Sequence, residues 1–103
     1  METDEILDTS VAIGRNSGNI TIFSVIEHPP CSSKNFEVIL PDIEDYTKAI
    51  SIASKLRQKG TPVGAIDMLI AAMCINRRAQ VITKEGDYKR IAAVSPEFHL
   101  KLL

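Results

Sequence analysis

The pattern of apolar and polar positions changes period several times along the chain, and each change marks an element. Residues 5–8, "EILD", predict a short buried strand that ends in an acid. "TSVAIGRNSGN" then turns away, with room for one short helix, and Gly14, Gly18 and Asn19 interrupt it. In "ITIFSVIEHPP" the β-branched residues favour a strand at the start, whereas Glu27 suits a strand end or a short helix before the Pro-Pro stop. "CSSKN" predicts a loop and "FEVILP", 36–41, a second clear strand. Asp42 is placed as an N-cap, with Pro41 before it and Asp45 at the capping-box distance. The helix it opens runs to about Gly60, a natural stop, with Ile43, Tyr46, Ile50, Ala53 and Leu56 as the expected buried stripe. "TPVG" is a turn. Residues 65–78 form the next helix, whose closing Arg77-Arg78 pair suits a helix C-terminus. "AQVIT", 79–83, predicts a strand, "KEGDYKRIAAV" a turn and short helix, and "SPEFHLKLL" a last strand with Phe98, Leu100 and Leu102 alternating.

Strands that alternate with helices in this way predict an α/β domain with a mostly parallel sheet, and 103 residues suffice for one such domain. In open parallel sheets, sites gather beyond the carboxyl ends of the strands. The acids fall there: Asp8 closes the first strand, Glu27 follows the second apolar stretch, and Glu85 and Asp87 follow "VIT". Asp67 is the unusual one. It sits in "GAIDMLIAA", a helix that is otherwise almost wholly apolar.

Composition narrows the reading. At 45% hydrophobic and 24% charged, the chain is an ordinary globular protein, and a formal net charge of −1 excludes a globally basic nucleic-acid footprint. Cys31 and Cys74 lie far apart, without zinc spacing; Cys74 belongs in the core and Cys31 in a loop. A reduced, cytoplasmic protein is the expectation. The opening "METDEILDTS" carries acids where a signal peptide needs bases, and no apolar run reaches the ~18 residues of a membrane span.

Carboxylates converging at one sheet edge repel one another, and a cation resolves the repulsion. Hard divalent ions such as Mg²⁺ take oxygen ligands, often one or two carboxylates with waters and substrate phosphates. One turn into its helix, Asp67 can face such a cluster while Met68, Ile70 and Ala71 pack inward. A metal there would activate a water for in-line displacement at a phosphate. Ser-His and Cys-His arrangements are missing, so water is the nucleophile. The bland readings stand beside this one: Asp8 and Asp67 each as a helix cap or a buried hydrogen-bond acceptor, Glu27 as a solvated end, Glu85 and Asp87 as a surface turn around Gly86.

Three stretches carry a family resemblance. "ILDTSVAI" resembles the opening of a PIN domain, "GAIDMLIAA" is similar to that family's third-acid motif, and "VITKEGDYKRI" resembles its later segment. "SVIEHPP" is a looser match to the second-acid segment. The resemblance runs from Ile6 to about Ile91 and is stronger in the second half. It implies a three-layer α/β/α fold with a mostly parallel central sheet, and a Mg²⁺- or Mn²⁺-dependent ribonuclease. It places Asp8, Glu27, Asp67 and Glu85 as the four acids and Asp87 as an accessory one. Asp8, Asp67, Glu85 and Asp87 would hold the metal, with Thr9 or Ser10 and Thr83 as supporting polar residues. Small members of this kind are often the toxin of a VapBC-type toxin–antitoxin pair, form homodimers and bind a small antitoxin. The chain departs from the pattern in having Glu85 where Asp is usual, and only the polar, Pro-containing residues 28–35 between Glu27 and "FEVILP".

Arg77, Arg78 and Lys84, with Lys89-Arg90, are the expected RNA-backbone contacts flanking the acidic cleft, against the bland reading of a solvated face or dipole partners. Tyr88, at the family's aromatic position, and Phe23, Phe36 and Phe98 are expected to pack. The primary expectation is a metal-dependent endoribonuclease. The alternative is a PIN-like interaction module without turnover. A receiver-like signalling domain comes third and requires Asp42 as a phosphoacceptor, a position that reads better as a helix cap.

Overall fold

The computed structural model describes residues 4–103. Five strands, β1 (Glu5–Leu7), β2 (Ser17–Thr21), β3 (Asn35–Ile39), β4 (Gln80–Thr83) and β5 (His99–Leu102), are joined by five helices. The helices are α1 (Thr9–Ala12), α2 (Ile22–Glu27), α3 (Ile43–Lys59), α4 (Ala65–Arg77) and α5 (Tyr88–Val94). Every hydrogen-bonded strand pair is parallel: β1 with β4, β4 with β5, and β2 with β3. Strand β2 lies beside β1, and the Asn19 amide donates to the Glu5 carbonyl at 3.0 Å. The strands therefore run side by side as β3-β2-β1-β4-β5.

Successive strand residues face opposite sides, and here that splits the core in two. Ile6 and Val81 enter one cluster with Ile52 and Leu56 of α3, Ile70 and Cys74 of α4, and Tyr88 and Ile91 of α5. Their neighbours Leu7 and Ile82 enter another with Val11 and Ala12 of α1, Ile20 and Cys31. The result is the three-layer α/β/α arrangement. Each large aliphatic buried this way contributes about 1.5–3 kcal/mol, so the two clusters outweigh any single polar contact in holding the layers.

The helix boundaries follow local chemistry. Asp42 and Asp45 form the reciprocal capping box, and Gly60 closes α3 in the left-handed region at φ 73°. Asp42 is thus occupied as a cap, which leaves the receiver-like reading without its phosphoacceptor. The expected stripe of α3 is corrected, however. The buried positions are Asp45, Ala49, Ile52 and Leu56, whereas Ile43 (80% exposed), Tyr46 (48%) and Ile50 (71%) face outward. This helix carries two apolar stripes, and packing against α4 covers only one. Of the expected set, only Leu56 is fully buried.

Elsewhere the sheet takes different residues than the pattern suggested. Strand β2 begins in "SGNIT" and gives way to α2 at Ile22, so Glu27 ends a helix rather than a strand. Residues of the expected loop form a 3-10 turn, Pro29–Ser33, that buries Cys31. Strand β3 is shifted to Asn35–Ile39, leaving Leu40 and Pro41 as the approach to the Asp42 cap. In β5, Phe98 is buried before the strand begins, Leu100 is half-buried and Leu102 is exposed.

The α3–α4 contact has a polar clamp. The Arg77 guanidinium donates to both Asp45 oxygens, at 2.8 and 2.9 Å, and to the Met73 carbonyl at 2.9 Å. Asn76 adds a third bond to Asp45 at 2.9 Å. Burial pushes the Asp45 carboxyl up, but the Arg77, Asp42 and Asn76 bonds outweigh it and hold the group below the usual carboxylate range.

Candidate active site

Asp8 leaves the carboxyl end of β1 and is buried. Its backbone N–H donates to the Ile82 carbonyl at 3.1 Å, which fixes it at the matching end of β4. Two hydroxyls hold its carboxylate. Ser10 donates to Oδ1 at 2.6 Å, and Thr83 donates to Oδ2 at 2.8 Å from a position 75 residues away in sequence. The same hydroxyls accept from the next loop: Lys84 N–H to Ser10 at 3.1 Å, Glu85 N–H to Thr83 at 2.9 Å. Asp8 is therefore oriented, with lone pairs left on both oxygens.

A second small network lies alongside. Thr9 Oγ1 donates to Glu27 Oε1 at 2.6 Å and lies 2.9 Å from Ser24 Oγ. A hydroxyl has one proton, the Glu27 carboxylate takes it, and the buried Ser24 hydroxyl supplies the other bond. This ties the last residue of α2 to the residue following Asp8.

Asp67 enters from the first turn of α4, half-buried, with no side-chain capping bond. Its place as a cap, the common explanation for such a residue, is taken by Gly64. Burial raises its carboxyl most. The Tyr88 hydroxyl offsets part of this, and the charges of Asp8, Asp87 and Glu85 raise it further, to about 6. Asp67 thus lies within electrostatic reach of three other carboxylates. Glu85 and Asp87 are exposed on the β4–α5 loop, and Asp87 is the residue that precedes α5. Among the described residues, no three His, Cys, Asp or Glu side chains converge closely enough to close a metal site by themselves.

The expected RNA contacts separate. Lys84 is exposed beside Asp8, through its backbone bond to Ser10. Arg77 is committed to Asp45, and Arg78 is the left-handed residue that ends α4. Ten residues of helix, about 15 Å at 1.5 Å per residue, put both at the opposite end of α4 from Asp67. The structure also adds Ser24 behind Thr9, which the residue pattern did not single out, and gives Tyr88, expected only to pack, an influence on Asp67. Nothing in the sequence distinguishes Ser24. Tyr88 has a weak signal, a hydroxyl where a purely apolar ring would fill a core position.

A family profile described as the PIN domain matches residues 30–94, more than half of the chain. The chain belongs to the PIN domain family. The matched span contains Asp67, Glu85 and Asp87 but neither Asp8, whose charge reaches Asp67, nor Glu27, which Thr9 ties to the residue after Asp8. No curated protein matches the sequence. Solved structures do. A chain of VapBC2 from Rickettsia felis, bound to a DNA fragment from its promoter, has a TM-score of 0.77 at 19% identity, covering 97% of this chain and 98% of that one. A chain of DNA-bound VapBC from Salmonella typhimurium has the same TM-score and coverage at 21% identity. One from VapBC-1 of nontypeable Haemophilus influenzae has them at 17%. At such identities the likeness shows the fold, and that fold is the PIN architecture.

Proposed function

We propose that this PIN domain is a Mg²⁺- or Mn²⁺-dependent endoribonuclease, and the toxin of a VapBC-type toxin–antitoxin pair. The observation that carries the reading is Asp67. It is half-buried and within electrostatic reach of Asp8, Asp87 and Glu85, and burial first, with those charges adding to it, raises it to about 6. A divalent cation turns that mutual repulsion into binding. The donors fit a hard ion: they are carboxylate oxygens, and Asp8 is already oriented by Ser10 and Thr83. Mg²⁺ commonly needs only one or two carboxylates, with waters and phosphates completing its shell. Asp8 and Asp67 would hold it, with Glu85 or Asp87 at the open side. A bound ion of this kind supplies Lewis acidity toward water and phosphate.

The chain's own residues do the rest. Asp8 and Asp67 bind and orient. Glu27, held by Thr9, accepts the proton of the attacking water at its free carboxylate oxygen. Lys84 contacts the RNA backbone as a phosphate partner. Arg77 and Arg78 have no part in this site. A small antitoxin is the expected protein partner. The homodimer expected of such a toxin is assigned to the outward stripe of α3. The alternative, an interaction module without turnover, rests on Glu85, which is exposed and one methylene longer than the usual Asp.

The test is RNA cleavage in Mn²⁺ by wild type, Asp8→Asn and Asp67→Asn, each checked for native melting. Cleavage should disappear in both variants, a loss of at least 10²-fold, while the fold persists. Full activity in well-folded Asp67→Asn would remove the proposal.

A further inference from the structure

Ser24 is completely buried on α2, which packs on α1. It stands three residues before Glu27, so both project from one side of the helix. Its carbonyl accepts the His28 N–H at 2.9 Å, which closes the last turn of α2. Its hydroxyl has a single partner among the described residues, Thr9 Oγ1 at 2.9 Å. Thr9, half-buried, reaches Glu27 Oε1 at 2.6 Å, and Glu27 is exposed. The three side chains thus run from the core to the surface, with the buried hydroxyl at the inner end.

Order along this chain is imposed from the inner end. Glu27 is the last residue of α2, and a long exposed side chain at a helix end loses much rotamer freedom when it is fixed. What fixes it is the Thr9 hydroxyl, and only one staggered position about the Thr9 Cα–Cβ bond serves. The others would turn the methyl group or the Cβ hydrogen toward the carboxylate. Ser24 selects the serving position, because its own proton finds an acceptor only there and a buried hydroxyl left unpaired is costly. A carboxylate accepts and does not donate, so Thr9 gives its proton to Glu27 and Ser24 gives its proton to Thr9. The bond to Glu27 has the short length of a charge-assisted O–H···O⁻ bond. Glu27 Oε2 takes no hydrogen bond among the described residues.

We infer that Ser24 is a positioning residue for the reaction: through Thr9 it holds Glu27 Oε1 in place and leaves Oε2 to take the proton of the attacking water. This rests on the ribonuclease reading proposed above, in which Glu27 accepts that proton. The role is separate from cation binding, because the Asp8 carboxylate is oriented by Ser10 and Thr83 instead. Loss of the Ser24 hydroxyl therefore falls on turnover. A proton acceptor works only within hydrogen-bond reach of the proton it takes, so a carboxylate freed to swing away loses rate rather than substrate affinity.

A double-mutant cycle separates this role from packing of α2 on α1. Cleavage of a single-stranded RNA oligonucleotide in Mn²⁺ is measured for wild type, Ser24→Ala, Glu27→Gln and the double variant, well below each melting midpoint, with Mn²⁺ binding followed by calorimetry. Ser24→Ala should lower kcat about tenfold, with KM and Mn²⁺ affinity within about twofold of wild type. In the Glu27→Gln background the same change should cost less than about twofold, because the group it positions no longer takes a proton. Thr9→Val, equal in shape but without the hydroxyl, should lose at least as much as Ser24→Ala, and adding Ser24→Ala to it should change little. An unchanged kcat in Ser24→Ala overturns the inference and leaves the ribonuclease reading standing. So does an equal loss in the wild-type and Glu27→Gln backgrounds, or a fall in Mn²⁺ affinity that accounts for the loss, either of which marks the hydroxyl as structural. Wild-type protein that cleaves neither this oligonucleotide nor total RNA in Mn²⁺ removes the ribonuclease reading and the inference together.

Discussion

Asp67 explains why a helix apolar on nearly every side carries a carboxylate. It costs stability where it stands, and the cost has a pH signature. Its folded carboxyl is raised from 3.8 to about 6. Between those values the folded, metal-free protein holds a proton that the unfolded chain has released. Stability from this group is therefore complete below about pH 4 and lost as pH rises through about 6. We predict that the stability difference between wild type and Asp67→Asn, measured by urea unfolding without metal, shifts against wild type from pH 4.5 to pH 7. The expected size is on the order of 1–2 kcal/mol after discounting for partial exposure. A difference that does not move across this range would contradict the assignment. Asp45 acts in the other direction. Its lowered carboxyl supports the fold above about pH 4 and loses that contribution only in acid, outside the window chosen. Much at this scale was legible, because acids at strand ends are marked by position alone. The hydroxyls on Asp8 were nameable, but the reach of Thr83 across 75 residues depends on the register of β1 with β4. The place of Tyr88 depends on how α5 docks.

Helix α3 shows what periodicity can and cannot decide. Its ends were readable to the residue, because the Asp42–Asp45 box and Gly60 act locally. Its buried face was not. Ile43, Tyr46 and Ile50 and the set Ala49, Ile52 and Leu56 both have helical spacing, and the Asp45–Arg77 clamp sides with the second. The first set, with Leu40 nearby, stays exposed, and Tyr46, Ile50 and Ala53 line an almost wholly apolar hollow with Ala65, Met68 and Leu69. Contiguous exposed apolar surface of this kind marks an interaction face. If it joins two copies, sedimentation should give a dimer at micromolar concentration for wild type and a monomer for Ile50→Glu, with the fold unchanged. A monomeric wild type at tens of micromolar would assign the face to another partner. The same docking of α3 on α4 took Arg77 out of the expected RNA contacts. A basic pair at a helix end has no sequence mark that tells a phosphate partner from a buried clamp.

At the scale of the molecule, alternation of strands with helices was enough to indicate a parallel α/β architecture, and the two-sided burial of β1 and β4 explains the third layer. The misplaced boundaries cluster in 17–41, where β-branched residues occur in both β2 and α2. There "IFSVI" is helical against its β-branched propensity, with Thr21 and Ser24 buried and α2 packed on α1 and β2. The acids from β1 and the β4–α5 loop come within electrostatic reach of Asp67 in α4 only because these layers close, so the central claim concerns the assembled domain: its acidic edge binds a divalent cation. The most direct test is Mn²⁺ calorimetry at neutral pH on wild type and the Asp8→Asn/Asp67→Asn double variant, with an RNA-containing arm for a site that phosphates complete. The account predicts binding by wild type that is lost in the folded double variant. Equal binding by both proteins, or none by wild type even with RNA present, would contradict it.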